Sequence, residues 1–302
     1  MAWCFRVFLS MALTIGASQN IEAKTADVLT VKVNAGVSVK DTRYHFFIEL
    51  LDQVLKATRS SFGPYRIKRI YQDSQQKVAA SLESGKLNVA ILTNGKAEAD
   101  RQLMYVPYPL MMGLLGYRVL LIREADQDQF SKVTSIEGLK NFRGGYNRRW
   151  ADYSVLTTNG LKLVTRTKYE LMLQLLQKGK ADYLSRSILE VEAELKKHFQ
   201  SEPKVKIDSH LLLHYNFANF FYVKAEDQLL YHRLTTGFEA IIASGKWLKL
   251  IEAHYGKGFR QMRFEDRQLI RLENPDMKDH FVENLKFWVD HKRLQKLAKG
   301  QL

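Results

Sequence analysis

The chain has 302 residues, a formal charge of +14 from 46 Lys and Arg against 32 Asp and Glu, and one cysteine. Its length suggests about two domains of ~150 residues each, and its apolar fraction of 46% with 11% aromatic residues excludes a disordered chain. A single cysteine excludes a disulfide scaffold and a cysteine-based zinc site, whereas the positive charge is compatible with nucleic acid or an anionic membrane as a partner.

The first 23 residues are typical of an export signal. Arg6 precedes the apolar run VFLSMALTIGA over residues 7–17, which is too short to span a bilayer comfortably. We expect cleavage after Ala23, with an uncleaved membrane anchor as the alternative. Cleavage removes Cys4 and leaves an exported, periplasmic protein, so we expect no nucleic-acid partner.

Two α/β units follow, each predicted from the spacing of its apolar residues. The first is predicted as strand, helix, strand, helix and strand over residues 28–35, 44–57, 65–71, 77–84 and 87–92. The second is predicted to have helices over residues 150–158, 168–177 and 189–199, and extended segments over residues 142–146, 161–165, 181–184 and 211–223. Two more helices are predicted over residues 228–243 and 247–254. This alternation is typical of parallel sheets covered by helices.

Several motifs occur in an order that is characteristic of one family. They are LESGKLNVA at 82–90, Arg101 followed by Pro-Tyr at 107–108, GYRVLLIR at 116–123, SIEGLK at 135–140, KGKADY at 178–183, and FEA, SGKW and YG between 238 and 256. Together they make the chain resemble the type II periplasmic binding proteins, specifically solute-binding family 3. Val106 departs from the pattern, because the family has a serine before the Pro-Tyr turn.

The resemblance implies an α/β fold of two lobes joined by two crossover strands, with a ligand cleft between them. Lobe one is expected to comprise residues 24–113 and 222–256, and lobe two residues 114–221. Such lobes close around a hinge when ligand binds.

Residues 257–302 form an extension beyond the family pattern, with 11 basic and 7 acidic residues. A helix is predicted over residues 281–297. We expect it to pack on lobe one through four apolar side chains, Phe281, Leu285, Trp288 and Val289. A partner-docking arm is the alternative.

On lobe one, the resemblance implies that Arg101 binds the α-carboxylate of the ligand, since a planar guanidinium suits a carboxylate. Thr93, Asn94 and the backbone of their loop would complete this subsite. A surface arginine paired with Asp100 is the alternative for Arg101. Tyr44, at the start of the first helix, either walls the cleft or belongs to the core.

On lobe two, Asn147, Arg148, Arg149, Trp150 and Asp152 lie between a predicted strand and its helix. Free amide groups at a helix N-terminus attract anions, and adjacent arginines strengthen that attraction. Trp150 would stack on the ligand and Asp152 would accept from an amine. Alternatively, Asp152 is favourable only to the helix dipole and Trp150 lies in the core.

The next predicted strand ends at Arg186 and Ser187. Amino-acid binders of the family place an aspartate near the position of Ser187 to hold the ligand ammonium group, and that carboxylate is absent here. An anionic ligand, or an amine held by Asp152 or Glu190, would fit these residues better.

The sequence therefore predicts a solute-binding protein that captures a small polar solute, anionic or amino-acid-like, for an inner-membrane ABC permease or a sensor. We expect a monomer. We also expect no metal and no cofactor, because the eight histidines show no metal-ligand spacing and the sequence has no nucleophile or phosphate-loop motif. The alternatives are a small-molecule lyase or dehydratase on the same fold, with Asp152 or Glu190 as acid and base, and an envelope-interaction protein whose basic extension binds anionic lipid.

Overall fold

The structure, a computed structural model, describes residues 27–39, 41–72, 75–93, 102–199, 204–277 and 285–301. The predicted export signal and its cleavage site lie outside these ranges. Among the described residues, no helix combines the length and the apolar character needed to cross a membrane.

The described strands and helices alternate along most of the chain. The strands are β1 (Leu29–Asn34), β2 (Tyr65–Ile70), β3 (Ala90–Thr93), β4 (Leu103–Tyr105), β5 (Tyr117–Arg123), β6 (Arg143–Asn147), β7 (Lys162–Arg166), β8 (Tyr183–Ser187), β9 (Val205–Ile207), β10 (Leu211–His214), β11 (Asn219–Lys224) and β12 (Gln268–Arg271). The helices are α1 (His45–Ala57), α2 (Arg59–Phe62), α3 (Gln75–Glu83), α4 (Gln127–Phe130), α5 (Ile136–Leu139), α6 (Tyr153–Thr158), α7 (Tyr169–Gln177), α8 (Val191–His198), α9 (Gln228–Ala243), α10 (Lys246–Gln261) and α11 (His291–Ala298).

The first sheet consists of two hydrogen-bonded sets, β2–β1 and β3–β11–β4, which are joined by an isolated bridge between Val33 and Val89, the residue before β3. The side chain of the buried Asn34 extends this junction, since its Oδ1 accepts from the Ile91 amide at 2.7 Å and its Nδ2 donates to the Ile91 carbonyl at 3.3 Å. Helix α1 packs against this sheet and α9, because its apolar residues recur on one face.

The second sheet has the order β12, β10, β5, β8, β6 and β7, and β9 also pairs with β5. Strands β6, β7 and β8 are parallel, so their carboxyl ends meet at one edge. Helices that follow such strands begin at that edge, which is where open α/β sheets hold ligands.

The predicted extended stretch over residues 211–223 consists of two strands, β10 and β11, that belong to different sheets. Strand β11 pairs with β3 over Asn219 to Tyr222, so the chain has returned to the first sheet there. The outward crossing passes Gly116, whose α-carbon lies so near Tyr215 that a side-chain β-carbon would sit 1.9 Å from the Tyr215 carbonyl oxygen. The two crossings therefore touch backbone to backbone.

The extension differs from its predicted form. A helix does not run from residue 281 to 297. Its described part begins at His291, because the Asp290 side chain caps the helix by accepting from the Arg293 amide at 2.7 Å. Residues 268–271 form β12, a strand absent from the sequence-based prediction. Trp288 and Val289 are buried, and Trp288 belongs to a cluster with residues of α3, β3 and β11.

Candidate functional site

The candidate site lies at the carboxyl edge of β6, β7 and β8. Trp150 follows β6, Tyr169 begins the helix after β7, and Arg186 and Glu190 lie at and just beyond the end of β8. Because these strands are parallel neighbours, their ends bring the four side chains to one place. An aromatic and charged cluster results.

Arg186 is the centre of this cluster and is almost entirely buried, with 6% of its side chain exposed. Its Nε donates to Glu194 Oε2 at 2.6 Å, a second short bond joins its Nη2 to Glu194 Oε1, and Nη2 lies 3.2 Å from Glu190 Oε2. This is a bidentate pair with an added carboxylate. The guanidinium is therefore neutralised by carboxylates of the chain itself.

Burial and ion pairing shift the pKa values of Glu194 and Tyr169 in this cluster. Burial alone would raise the pKa of Glu194, but attraction to Arg186 and their hydrogen bonds outweigh it, so the pKa lies below its usual value. Burial, followed by the nearby charge of Glu194, raises the pKa of the Tyr169 phenol. At neutral pH, Glu194 is therefore ionised and Tyr169 remains a neutral donor.

Aromatic rings line Arg186. The guanidinium carbon lies 4.4 Å from the Trp150 ring centroid and 6.0 Å from that of Tyr169. Tyr146 meets Trp150 edge-on with centroids 4.8 Å apart. Such cation–π contacts favour the observed position of Trp150. The face of its ring is therefore already in contact with Arg186 of the same chain.

Arg43 lies in the turn between β1 and α1. It follows β1 and makes a fork to Asp41, with Nε and Nη2 each 2.8 Å from a carboxylate oxygen. Its hydrogen bonds to Asp41, and to a lesser degree its attraction to Glu190, raise its pKa above the usual value. Glu190 is 33% exposed and is therefore the carboxylate of the cluster that remains open to solvent.

The two halves also touch beside this cluster. The Glu192 carboxylate of α8 packs on Gly258 of α10, where an added β-carbon would lie 3.0 Å from the Glu192 Oε2 atom. Residues of α10 and α8 belong to one apolar cluster that extends across both sheets. The two halves are thus in contact through α8 and α10.

Asp152 is buried rather than aimed at the cleft. Its Oδ2 accepts from the Tyr215 hydroxyl at 2.6 Å and lies 3.6 Å from an Arg118 nitrogen. Burial, together with the charge of Asp152, raises the pKa of both Tyr146 and Tyr215 well above their usual value, so Tyr215 stays a donor. Asp152 therefore ties the start of α6 to the chain crossing at Tyr215.

Asn147, Ser187 and Thr93 are buried at strand ends. The Asn147 amide group donates to the Thr167 carbonyl at 3.1 Å, and its oxygen accepts from the Arg149 amide at 3.0 Å. Ser187 Oγ accepts from the Leu189 amide at 3.3 Å. These contacts organise turns at the cleft edge.

The remaining predicted site residues have different surroundings. Arg148 is exposed, whereas Tyr44 is half-buried against the core and its ring lies 5.8 Å from that of Phe47. Arg101 and Asn94 lie outside the described residues. Their role in carboxylate binding stays a prediction.

Sequence reasoning missed Arg43, Arg118, Tyr169 and Glu194. A usable signal existed for Glu194, because Arg186, Glu190 and Glu194 are spaced by four residues, as on one helix face. Arg43 gave no such signal, because its relation to Glu190 depends on how the two sheets face each other. The described residues contain no cluster of His, Cys, Asp and Glu suited to a metal ion.

No protein-family model matches the chain, and no curated protein matches its sequence. Solved structures do match. A Bordetella pertussis BvgS periplasmic VFT2 domain is 16% identical, with a TM-score of 0.55, over 74% of this chain and 93% of that one. A Salmonella typhimurium periplasmic binding protein with high arginine specificity is 14% identical, with a TM-score of 0.54, over 76% and 100%. A probable amino-acid ABC transporter extracellular-binding protein from Bacillus subtilis is 15% identical, with a TM-score of 0.56, over 76% and 98%.

At these identities the likeness concerns the fold. The chain has the two-lobed α/β fold of the type II periplasmic binding proteins. The fold class predicted from the ordered motifs is confirmed.

Proposed function

We propose that the protein is an exported solute-binding protein that captures a small amino-acid-like solute in a cleft between two lobes. Lobe one comprises residues 24–113 and 222–256, and lobe two residues 114–221. The observation that carries this proposal is the two-lobed fold, together with the partly exposed Glu190 carboxylate just beyond the end of β8, at the edge where open α/β sheets hold ligands.

The charges favour a solute with an amine. Arg186 is paired with Glu194 and Glu190, so its guanidinium is not free to bind an anionic ligand. The partly exposed Glu190 carboxylate has acceptor capacity for an ammonium group. We assign the amine of the solute to Glu190 and its carboxylate to Arg101 and Thr93.

The structural relatives support delivery to a membrane partner. One is described as an amino-acid ABC transporter binding protein and another as a periplasmic protein specific for arginine. By extension we propose that this chain works as a periplasmic monomer that serves an ABC permease or a sensor. Catalysis is less well supported, because one of the two candidate acid–base residues, Asp152, is buried and bonded to Tyr215, and the other, Glu190, contacts Arg186.

Isothermal titration calorimetry with amino acids, dicarboxylates and simple amines tests this proposal, alongside native mass spectrometry of the freshly purified protein. We expect a bound amine-bearing solute. Glu190→Gln should weaken its affinity at least tenfold, about 1.4 kcal/mol, since a charge-assisted hydrogen bond is lost.

Glu170→Gln is the matched control, because Glu170 is exposed on α7. It should leave affinity unchanged. Equal affinities for wild type and Glu190→Gln would overturn the assignment of the amine. Absence of binding across all solute classes, or turnover of a solute, would overturn the proposed function.

A further inference from the structure

The described parts of the extension are attached to both halves of the molecule. We define the sheet anchor as residues 268–276, which follow α10 and lie on the second sheet. We define the hinge anchor as residues 287–289, which lie where the chain leaves the first half. The extension thus passes from α10 to the second sheet and returns, adding two passes to the two crossings of the fold.

The sheet anchor is held by backbone pairing. Strand β12 runs parallel to β10 in the register Leu211↔Gln268 to His214↔Arg271, and the Leu272 amide continues it by donating to the His214 carbonyl at 2.8 Å. These bonds fix the segment to the strand that leads into the return crossing.

Two asparagines extend the attachment beyond the strand. Asn159 accepts from the Glu273 amide at 3.0 Å and donates to the Glu273 carbonyl at 2.7 Å. Asn274 donates through its side chain to the Asn216 carbonyl at 2.7 Å. The sheet anchor therefore contacts both α6 and the return crossing.

The hinge anchor is held by the packing of Trp288 and by two hydrogen bonds to the backbone of Val289. The Trp288 ring covers Gly113 so closely that an added β-carbon there would sit 2.2 Å from a ring carbon. The Val289 amide donates to the Met112 carbonyl at 2.8 Å, and the Tyr117 hydroxyl donates to the Val289 carbonyl at 3.0 Å. Gly113 has φ of +75° and begins the outward crossing, so this anchor lies on the hinge itself.

Rotation of one sheet against the other would strain the extension, because the sheet anchor is bonded to the second sheet whereas Trp288 of the hinge anchor packs in the apolar cluster beside β3 and β11. We propose that the extension restricts opening of the two lobes and thereby keeps the cleft close to its binding-competent form. For the solute, this idea rests on the proposed function: apparent affinity falls in proportion to the fraction of molecules in the competent form. The restriction of lobe opening itself does not depend on whether a solute binds.

A distance measurement on the full-length protein tests the restriction. Spin labels at Leu171→Cys on α7 and Leu229→Cys on α9, both exposed positions, report the separation of the lobes in a Cys4→Ser background. A protease recognition sequence inserted after Met277 lets the same sample be measured uncut and cut. We expect cutting to broaden the distance distribution and extend it to longer distances.

A second variant loosens the sheet anchor without cutting. Asn159→Ala with Asn274→Ala removes the three hydrogen bonds that attach the sheet anchor and two local ones, to the Val155 carbonyl and from the Asp276 amide, and it should shift the distribution in the same direction. Asn141→Ala, at an exposed position of the same half, is its matched control. Identical distributions in uncut, cut and double-variant samples would overturn the proposal.

The affinity readout separates the two proposals. If a solute binds and cutting widens the distribution, its affinity should fall about tenfold. If no solute binds yet the distribution widens, the restriction stands and the proposed function fails. If a solute binds but the distribution stays unchanged, the proposed function stands and the restriction fails.

Discussion

Glu194→Gln is expected to lower the free energy of unfolding by about 3 kcal/mol at pH 7. The change keeps the shape of the side chain but removes the negative charge that balances Arg186, of which only 6% is exposed. Removing one partner of a buried ion pair leaves a buried charge uncompensated, and such losses run to roughly 3–5 kcal/mol. We place Glu194→Gln at the lower end, because Glu190 still contacts Arg186. Urea unfolding followed by tryptophan fluorescence measures the difference.

The pH dependence of this effect has a definite sign. The pKa of Glu194 is lower in the folded protein than in the unfolded chain, so its stabilisation is complete above the unfolded pKa, about 4.3. It is lost as pH falls through the folded pKa. The stability gap between wild type and Glu194→Gln should therefore close as pH is lowered below about 4.

Two controls identify the cause. Glu170→Gln on the exposed face of α7 should change stability by less than about 0.5 kcal/mol. Replacing both partners, as Arg186→Met with Glu194→Leu, should cost less than Glu194→Gln alone, since no buried charge remains unpaired. Equal stabilities of Glu194→Gln and Glu170→Gln would contradict the prediction.

Gly116→Ala is expected to destabilise the fold by about 3 kcal/mol or more. The new methyl group would lie 1.9 Å from the Tyr215 carbonyl oxygen and 3.2 Å from the Phe217 amide nitrogen. Both neighbours are backbone atoms of the return crossing, which cannot rotate away as a side chain would, so the two crossings must separate. Thermal unfolding and urea unfolding both measure the loss.

Gly138→Ala is the matched control. Its nearest neighbour would be a Val133 methyl at 3.4 Å, an ordinary contact, and the residue lies within α5. Alanine favours helix over glycine by up to about 1 kcal/mol, so this variant should be unchanged or slightly more stable. A Gly116→Ala protein that unfolds at the wild-type urea concentration would show that the crossings tolerate separation.

The sequence predicted the fold because its signals are local. Strand and helix spacing between residues 28 and 92 correspond to β1, α1, β2, α3 and β3, with shifts of a few residues at their ends. Since strand ends meet at the edge of a parallel sheet, the same reasoning placed Trp150 and Arg186 near the cleft. The burial of Asp152 could not be predicted in this way. It depends on a hydrogen bond from the Tyr215 hydroxyl, which lies 63 residues further along the chain.

The ion pair of Arg186 and the strand β12 were also hard to predict from neighbouring residues. Arg186 was a candidate ligand residue, but its partner Glu194 lies eight residues away on the next helix, and only the four-residue spacing through Glu190 indicates the pair. Strand β12 likewise has only four residues and forms by pairing with β10, more than fifty residues earlier in the chain. Local propensity carries little information about such contacts.

The burial of Trp288 has a consequence for the order in which the molecule is completed. This ring fills the cluster beside β3 and β11, while Leu294 and Leu297 of α11 join the larger core. The first half thus lacks part of its interior until residues 288–297 have been synthesised. Contacts between distant parts of a chain form slowly because long loops must close first. Final consolidation of that half therefore awaits these residues.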